Sequence, residues 1–455
     1  MFKKMVYSIA VMLLVMIFSM ISSGCDSGGD ESEDERPSGY VTDHVSSLVG
    51  PVEEVWVVRY NHPNTEWDEA RDIAIDALGN SYILGIANQD PITIKYDSTG
   101  QKVWIAQHES DGTPLWIEHF SDGAIALDQH SDIYVTLGTS DAEDDSLVYT
   151  TIKYNSEGNA LWTEQYQRSV PDYSLSSDIT LDSHDNVYIT GESMAGSSTA
   201  QGFDYTTLKY DSEGQLLWTA HYETLGEDHV GALALTIDRS GNIYVTGPSG
   251  TVKYDNNGIE IWTLDCATPG DCQNSGESII VDELDNIYIA GKRGTSKYDS
   301  LGNQLWSDHF DRWESVSFPF REIALDRSGN LYVSGPLKMS DATDERPSSV
   351  TIKYDTNGNR LWTVSEAGYI IVDDSGDLYI ATAIYGGYLT KKYDGDGNQI
   401  WAAELRDRHF EYSGVSGIAL DKRGSVFVTG TGGHHDMTQH DEPWYDILTV
   451  KYTQE

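Results

Sequence analysis

LTIDRSGNIYVTG at 235–247 is followed by TVKYDNNGIEIW at 251–262, and versions of these two stretches recur along most of the chain. Each stretch has two short runs in which apolar and polar residues alternate, separated by a turn that contains glycine or asparagine. Alternation with a period of two predicts β-strands, and the turn between the runs predicts a hairpin. The two stretches together therefore predict a unit of four antiparallel strands, labelled A to D in chain order.

Every copy of the first stretch carries an aspartate at the end of strand A. These residues are Asp76, Asp128, Asp182, Asp238, Asp282, Asp326, Asp373 and Asp421. Four-stranded units that repeat without helical sequence between them favour a β-propeller over a β-helix, whose rungs are much shorter. We predict an all-β fold, an eight-bladed β-propeller of four-stranded antiparallel blades.

The two ends of the repeat region predict how the ring closes. VEEVWVVRY at 52–60 resembles strand D but has no A, B or C strand before it. The last copy ends after its strand C, ILTVKY at 447–452. We expect the N-terminal strand to pair into the last blade, because this pairing removes an open sheet edge.

Most repeated residues have a structural interpretation. One tryptophan stands at the same place in each strand D: Trp56, Trp104, Trp162, Trp218, Trp262, Trp306, Trp362 and Trp401. A fixed aromatic position in each blade predicts packing between neighbouring blades. The repeated aspartates and Gly-Asn pairs predict tight turns. DGDGN at 394–398 resembles part of a calcium loop but lacks its spacing and distal glutamate.

The runs GNIYVTG (241–247) and TIKYDSTGQKVW (93–104) resemble the bacterial β-propeller repeat family of secreted and surface proteins. The segment from glycine to tryptophan is also similar to the tryptophan-docking repeat of quinoprotein-type propellers. The resemblance covers about 400 residues and implies the fold, whereas many different functions occur on propellers. A quinone-dependent dehydrogenase is disfavoured, because that family's adjacent cysteine pair is absent from this sequence. We therefore expect no cofactor.

The N-terminal region predicts export. Lys3 and Lys4 precede an apolar run that ends near Met20, and small residues lead to Cys25. This pattern resembles a bacterial lipoprotein signal, which implies cleavage of residues 1–24 and lipid modification of Cys25. An ordinary secretory signal is the alternative. Residues 25–50 are acidic and poor in apolar side chains, so we expect a disordered, lipid-anchored tether before a propeller domain at 51–455.

Charge restricts the partners. The chain has 73 acidic and 29 basic residues, a formal net charge of −44. Such a charge repels nucleic acids and anionic lipid headgroups, so we expect no nucleic-acid partner and membrane contact through the lipid anchor only. An envelope protein or a carbohydrate remains as the expected partner of a monomeric propeller.

The connections predict which face binds. Because strands alternate in direction, A–B and C–D turns share one face, the lower face, and B–C and D–A connections share the upper face. The lower turns are uniformly short, whereas the upper connections vary in length. Long connections on a repeated scaffold usually carry the binding groups. The upper face is therefore the candidate binding surface, above all the side formed by blades 8, 1, 2 and 3, where most of the long B–C connections lie.

Four tryptophans lie outside the repeat positions and in upper connections: Trp67, Trp116, Trp313 and Trp444. Exposed aromatic side chains commonly anchor sugars and protein partners, although a tryptophan also pins a long loop by local packing. Trp116 has a further interpretation, because residues 108–120 match a strand D pattern. We add His62, His409 and Tyr445 as candidate ligand-binding residues, since their connections meet at the seam between blades 8 and 1.

The segment GTGGHHDMTQHDEPWYD at 430–446 holds the candidate metal ligands His434, His435, His440, Asp436 and Asp441. Imidazole and carboxylate groups together suit zinc or another divalent cation. The alternative is a solvated polar loop, because the histidines are irregularly spaced. Cys266 and Cys272 lie six residues apart in one D–A connection, and an exported protein would form a local disulfide from them.

Two functions remain open at this stage. The first is a membrane-anchored lipoprotein, periplasmic or at the cell surface, that acts as a binding or protein-interaction scaffold through its loop-rich face. This possibility resembles the propeller lipoproteins of outer-membrane assembly. The second is a carbohydrate-active enzyme, a polysaccharide lyase or hydrolase, with its site at the seam between blades 8 and 1. The acidic composition disfavours polyanionic substrates, which favours binding over catalysis.

Overall fold

The structure is a computed structural model. It describes residues 39–40, 44–62, 67–88, 90–108, 123–140, 147–168, 174–194, 203–223, 231–266, 274–309, 322–337, 348–407, 410–434 and 444–454. Within these residues all regular structure is β-strand and no helix occurs, so none of them forms a helix long and apolar enough to cross a membrane.

Three strands precede the first complete blade: β1 (Gly39–Tyr40), β2 (His44–Val49) and β3 (Glu53–Tyr60). Blade 1 contains β4 (Asp68–Ile75), β5 (Ser81–Ala87), β6 (Asp90–Tyr96) and β7 (Lys102–Gln107). Blade 2 contains β8 (Ala124–Leu127), β9 (Ile133–Ser140), β10 (Leu147–Tyr154) and β11 (Ala160–Tyr166). Blade 3 contains β12 (Ser174–Leu181), β13 (Val187–Met194), β14 (Phe203–Tyr210) and β15 (Leu216–Tyr222). Blade 4 contains β16 (Ala234–Ile237), β17 (Ile243–Gly247), β18 (Gly250–Tyr254) and β19 (Glu260–Asp265).

The second half repeats this order. Blade 5 contains β20 (Ser278–Val281), β21 (Ile287–Gly291), β22 (Gly294–Tyr298) and β23 (Gln304–His309). Blade 6 contains β24 (Glu322–Leu325), β25 (Leu331–Leu337), β26 (Ser348–Tyr354) and β27 (Arg360–Val364). Blade 7 contains β28 (Tyr369–Val372), β29 (Leu378–Ile384), β30 (Gly387–Tyr393) and β31 (Gln399–Asp407). Blade 8 contains β32 (Tyr412–Leu420), β33 (Val426–His434) and β34 (Trp444–Thr453), with β3 as its fourth strand.

The ring closes as the sequence predicted. β3 pairs antiparallel with β34, from Glu53 opposite Thr453 to Tyr60 opposite Ile447. The A strands form the inner ring, because each lies beside the A strand of the next blade and β32 of blade 8 lies beside β4 of blade 1. The eight-bladed propeller is therefore confirmed, with its N-terminal strand in the last blade.

One boundary of the predicted tether was wrong. We expected disorder up to residue 50, but His44–Val49 form β2, which pairs antiparallel with β31 on the outer side of blade 7. The pairing runs from His44 opposite Asp407 to Val49 opposite Ala402. Val45, Leu48 and Val49 do not alternate and all three are exposed, so the backbone pairing with the open edge of β31, and not a buried apolar face, accounts for this strand.

An interblade latch recurs around the lower part of the ring and is clearest between blades 4 and 5. Lys253 places its Nζ 3.8 Å from Asp238 Oδ2 and 4.7 Å from the ring centroid of Tyr244. Lys253 and Trp262 both donate to the carbonyl oxygen of Ser300, at 2.9 and 3.2 Å. Since Ser300 lies in the C–D turn of the next blade, the latch ties neighbouring blades together.

The seven C–D turns of the chain accept this lysine–tryptophan pair at equivalent carbonyl oxygens, which belong to Ser98, Ser156, Ser212, Asn256, Ser300, Thr356 and Gly395. Blade 8 has no C–D turn, because its fourth strand is β3, which precedes blade 1 in the sequence. There Gln454 Oε1 accepts from Lys392 at 2.9 Å and from Trp401 at 3.2 Å. A side-chain amide thus replaces the missing backbone carbonyl at the closure.

The repeated turns and tryptophans behave as predicted. Asp238 Oδ1 accepts the backbone N–H groups of Ser240 and Asn242 at 2.9 and 2.8 Å, as expected for a tight turn. The Trp218 ring lies against Gly258 of the next blade, where a Cβ atom would come within 2.7 Å of the indole. Asp394 accepts the N–H groups of Asp396 and Asn398 in the same way, so DGDGN at 394–398 is one more such turn.

Candidate functional site

The described part of the upper face brings two predicted residues together at the seam. Trp67 precedes β4 and forms a parallel β-bridge with Tyr445 near the start of β34. Their ring centroids are 4.3 Å apart and the ring planes are inclined by 42°. The connection into blade 1 is therefore pinned to the last strand of blade 8 by an aromatic pair.

A glycine makes room for this pair. Gly433 of β33 lies opposite Tyr445, and a Cβ atom at Gly433 would stand 2.7 Å from Cε1 of the tyrosine ring. This distance is too short for any side chain. The Tyr445 ring thus lies between Gly433 and Trp67.

The aromatic surface continues into blade 7. Tyr412 of β32 also lies opposite Gly433, so Tyr412 and Tyr445 point to the same face of the sheet, two strands apart. Two strand spacings are roughly 9.5 Å. Ser413 ties β32 to the B–C turn of blade 7, because its Oγ donates to the carbonyl oxygen of Ile384 at 2.6 Å.

Tyr385 stands in that turn and is 72% exposed. Ser413, next to Tyr412, bonds on both sides of this turn, to the carbonyl oxygen of Ile384 and to the N–H of Gly387, so Tyr385 stands at the blade 7 end of the same surface. We call Tyr385, Tyr412, Tyr445 and Trp67 the aromatic row. It crosses blades 7 and 8 and ends at the entry to blade 1.

Sequence reasoning found only half of this row among its candidates. Trp67 and Tyr445 were selected because they interrupt the repeat in an upper connection. Tyr385 was missed, because it belongs to a short glycine turn that resembles structural sequence. Trp444 is half-buried and lies next to Tyr445, but on the other face of β34.

A buried ion-pair cluster supports the row at the closure. Arg59 of β3 pairs with Asp407 at the end of β31, and its Nε lies 3.6 Å from Asp446 Oδ2. The guanidinium carbon of Arg59 is 4.9 Å from the ring centroid of Phe410. A Cβ atom at Gly432 would collide with that ring. The cluster therefore joins blades 7 and 8 beneath the upper face and is structural.

His62 is held through its backbone. Its N–H donates to Asp68 Oδ2 at 2.5 Å, and the Asp68 side chain is buried. Burial, followed by the Asp68 charge, raises the pKa of Tyr60 to about 12. The connection after β3 thus folds back onto β4, which positions Trp67.

Several predicted site residues lie outside the described residues: Trp116, Trp313, His409, His435, Asp436, His440, Asp441 and the lipidation site Cys25. His434 is the last residue of β33. Cys266 is buried and disulfide-bonded, whereas Cys272 lies outside the described residues.

In the described part of the chain, Asp128, His130 and Asp185 form a group whose potential metal-ligand atoms lie within 4.8 Å of one another. The group is on the lower face, in the A–B turns of blades 2 and 3. Asp128 Oδ1 already accepts the N–H groups of His130 and Asp132, at 2.8 and 2.9 Å, and its Oδ2 lies 3.9 Å from the Lys153 ammonium. Turn formation and the lysine account for this group.

Three carboxyl groups lie on the inner ring. Asp72 accepts the backbone N–H of Ile125 in the next blade at 3.0 Å, and Asp178 accepts that of Leu235 at 2.8 Å. Burial raises the pKa of Asp72 to about 7 and that of Asp178 to about 6. Burial, and then the charges of Asp72 and Asp178, raise the pKa of Glu322 to about 7. The charges of Asp72 and Asp178 therefore reach the Glu322 carboxyl of blade 6.

Glu322→Gln should stabilise the propeller most at alkaline pH. Glu322 has a folded pKa of about 7, above the value of roughly 4.3 in an unfolded chain. Its protonation therefore stabilises the fold at acidic pH, and this contribution is lost as the pH rises through 7. Glutamine does not ionise, so the melting-temperature gain of the variant should be small near pH 5 and a few degrees near pH 8.

The exposed Glu213 supplies the matched control, since Glu213→Gln changes the same charge away from the inner ring. Thermal melts of both variants and the wild-type protein across this pH range would measure the effect. A melting-temperature difference for Glu322→Gln that is the same at both pH values would contradict it.

Comparisons with known proteins find similarity in the fold only. No family model matches the sequence, and no curated protein matches it. The WD40 domain of Pan2 from Neurospora crassa is 11% identical with a TM-score of 0.46, and the match covers 75% of this chain and 91% of that one. A catalytically inactive virginiamycin B lyase from Staphylococcus aureus, solved with quinupristin, is 10% identical with a TM-score of 0.42 and covers 78% and 99%.

A protein of unknown function from Bacteroides caccae is 13% identical with a TM-score of 0.36, over 66% of this chain and 94% of that one. At such identities the likeness concerns the fold alone.

Proposed function

We propose that this protein is a cell-envelope binding scaffold. In this proposal the chain is exported, Cys25 carries the lipid anchor, and the propeller presents its upper face to an envelope protein or a carbohydrate. The ring is monomeric, needs no cofactor and does not bind nucleic acid, in keeping with its net charge of −44. The aromatic row is the observation that carries the proposal.

The row has the properties of a binding platform. Tyr412 and Tyr445 lie on one face of the sheet at a separation set by the strands, and Tyr385 adds a tyrosine that is largely exposed. Aromatic rings on rigid strands bury a large area with little loss of conformational entropy. Such rings suit both the faces of sugar rings and the apolar anchors of protein partners.

Proton transfer at the row is disfavoured. An enzyme acting at this seam by proton abstraction needs a group that gives up its own proton near neutral pH. Burial, and then Glu69 and Tyr412, raise the pKa of Tyr445, so its phenol stays protonated. We therefore assign the row to binding. The experiment must distinguish this function from the alternative, a carbohydrate-active enzyme.

Photocross-linking in cells and a polysaccharide panel test the proposal together. If the partner is an envelope protein, a photoreactive amino acid in place of Tyr385 should give a discrete cross-linked adduct in cells. If the ligand is a carbohydrate, the purified protein should bind neutral glucans or xylans. Tyr385→Ala with Trp67→Ala should weaken that binding at least tenfold. Leu301→Ala, on the lower face and 76% exposed, is the matched control.

Catalysis would be detected in the same panel as new reducing ends or as ultraviolet absorbance. Turnover that is lost when Tyr445 is substituted would show that the protein is an enzyme and would contradict the scaffold proposal. The absence of both an adduct at position 385 and retention of any polysaccharide would contradict binding through the row.

A further inference from the structure

β2 begins beside the aromatic row. Its first residue, His44, pairs with Asp407 at the end of β31. The N–H of Asp407 donates to the carbonyl oxygen of Gly386 at 2.9 Å, and Arg406 Nη1 donates to that of Tyr385 at 2.6 Å. Both acceptors belong to the B–C turn of blade 7. A single strand, β31, therefore separates β2 from the turn that presents the most exposed residue of the row.

β1 reaches the same place from blade 8. Gly39, the first residue that the structure describes, pairs with Arg59 of β3. Arg59 in turn pairs with Asp407 of blade 7. We call the region formed by His44, Arg59, Asp407 and Tyr385 the entry corner, because the N-terminal segment joins the ring there.

The N-terminal segment is fastened to the ring by side chains as well as by strand pairing. His44 Nε2 lies 2.7 Å from Glu54 Oε1, and Ser46 Oγ donates to the same carboxylate. Gly50 lies so close to Trp401 of β31 that a Cβ atom at Gly50 would stand 2.9 Å from the tryptophan Cβ. These contacts define the place at which the preceding residues leave the ring.

The segment between Cys25 and β1 is short and polar. Residues 25–38 include six acidic residues, one basic residue and no aliphatic or aromatic side chain. This composition predicts a flexible coil, and these 14 residues of coil span roughly 19–22 Å. The four-stranded sheets of two opposite blades place their outer edges more than six strand spacings apart, which is roughly 29 Å. The tether is therefore shorter than the ring is wide.

We propose that the entry corner faces the anchoring membrane and that the aromatic row binds a protein embedded in that same membrane. This inference rests on the lipid anchor and the binding role proposed above. A tether shorter than the width of the ring keeps the row close to that membrane, which gives a partner there a high effective concentration. The net charge of −44 keeps the ring off anionic headgroups, so the row stays open to the partner.

Energy transfer to a membrane dye tests the orientation. The chain 25–455 is coupled through Cys25 to a maleimide lipid in phosphatidylcholine vesicles that carry an acceptor dye. An azido amino acid, coupled to a donor dye, replaces either Tyr385 of blade 7 or Met194 of blade 3. These blades are opposite in a ring of eight, and the two residues follow or end strand B on the same face.

We expect at least about twofold more transfer from position 385 than from position 194, because the tether is attached beside the former. Equal transfer would overturn the proposal. Since the lipid is attached chemically, this result does not depend on whether cells modify Cys25.

A longer tether separates the effect of the tether from direct contact with lipid. Insertion of about sixty Gly and Ser residues after Asp26 lengthens the coil to roughly 43–52 Å, so transfer from the two positions should become equal. A difference that persists would overturn the proposal, because it would show that the row itself lies on the lipid.

The same insertion tests the partner in cells. A photoreactive amino acid in place of Tyr385 should form an adduct that sediments with the membrane. The longer tether should reduce the yield of this adduct roughly tenfold, because effective concentration falls with about the −3/2 power of tether length. The control chain carries the same Gly and Ser residues after Glu455 and should keep the wild-type yield.

Two results would overturn the choice of partner without removing the scaffold function. An adduct of unchanged yield would show that a soluble protein reaches the row whatever the length of the tether. Binding of a polysaccharide at the row, without any protein adduct, would show that the ligand is a carbohydrate.

Discussion

A chain that begins at His62, and so lacks β3, should fail to form a stable propeller. Removal of β3 takes away the buried side chains of Trp56, Val57, Val58 and Tyr60. Full burial of each such side chain is worth roughly 1.5–3 kcal/mol, so the loss is on the order of 6–12 kcal/mol. This amount is comparable with the whole stability of an ordinary domain, about 5–15 kcal/mol. Removal also leaves the edge of β34 open and Asp407 without Arg59.

The matched control is a chain that begins at Val52. It lacks β1 and β2 but keeps β3, so it should still melt in one cooperative transition at a moderately lower temperature, because the edge of blade 7 is uncovered. Circular dichroism melts and urea unfolding of both chains measure the difference. Cooperative melting of the shorter chain at the wild-type temperature would contradict the stabilising role of closure.

The repeat made most of the ring predictable. Alternating residues around glycine turns identified the strands, and the unmatched D strand at 52–60 identified the closing blade. The first feature is local in the sequence, and the second follows from a comparison of the first and last copies of the repeat. The latch was harder to predict from the sequence, because Lys253 and Ser300 belong to different blades and come into contact only in the closed ring.

The closure contains two features that no repeat could predict. β2 lies outside the repeats, and its six residues pair only because β31 offers an outer edge. Gln454 follows the last strand and supplies the amide oxygen that a turn carbonyl supplies elsewhere. Both features depend on where the two ends of the chain meet in space.

The sequence indicated where on the ring the aromatic row would lie better than it indicated which residues form the row. Trp67 and Tyr445 stood out because they interrupt the repeat, but their mutual contact follows from the bridge between two distant segments. Tyr385 joins them through Ser413, a contact between adjacent blades that leaves no pattern in the sequence. Ring closure decides which upper connections become neighbours, and single-blade patterns carry no information about it.

Lys253→Met should destabilise the propeller by about 3–5 kcal/mol, because it removes one partner of a buried ion pair. Lys253 and Asp238 are both buried, with Nζ 3.8 Å from Oδ2. Burial lowers the pKa of Lys253, whereas Asp238 first and then Asp285 and Asp299 oppose this shift. Methionine fills the space over Tyr244 but leaves the Asp238 charge in a buried site and gives no donor to Ser300.

The same substitution at the exposed Lys292 removes the same charge in the neighbouring blade and should change stability by less than about 0.5 kcal/mol. Urea unfolding of the two variants and the wild-type protein measures both values. Since the latch recurs between all neighbouring blades, the effect reports on how the ring holds together. Equal stability of Lys253→Met and Lys292→Met would mean that the tryptophan and the sheet pairing alone hold blade 4 to blade 5.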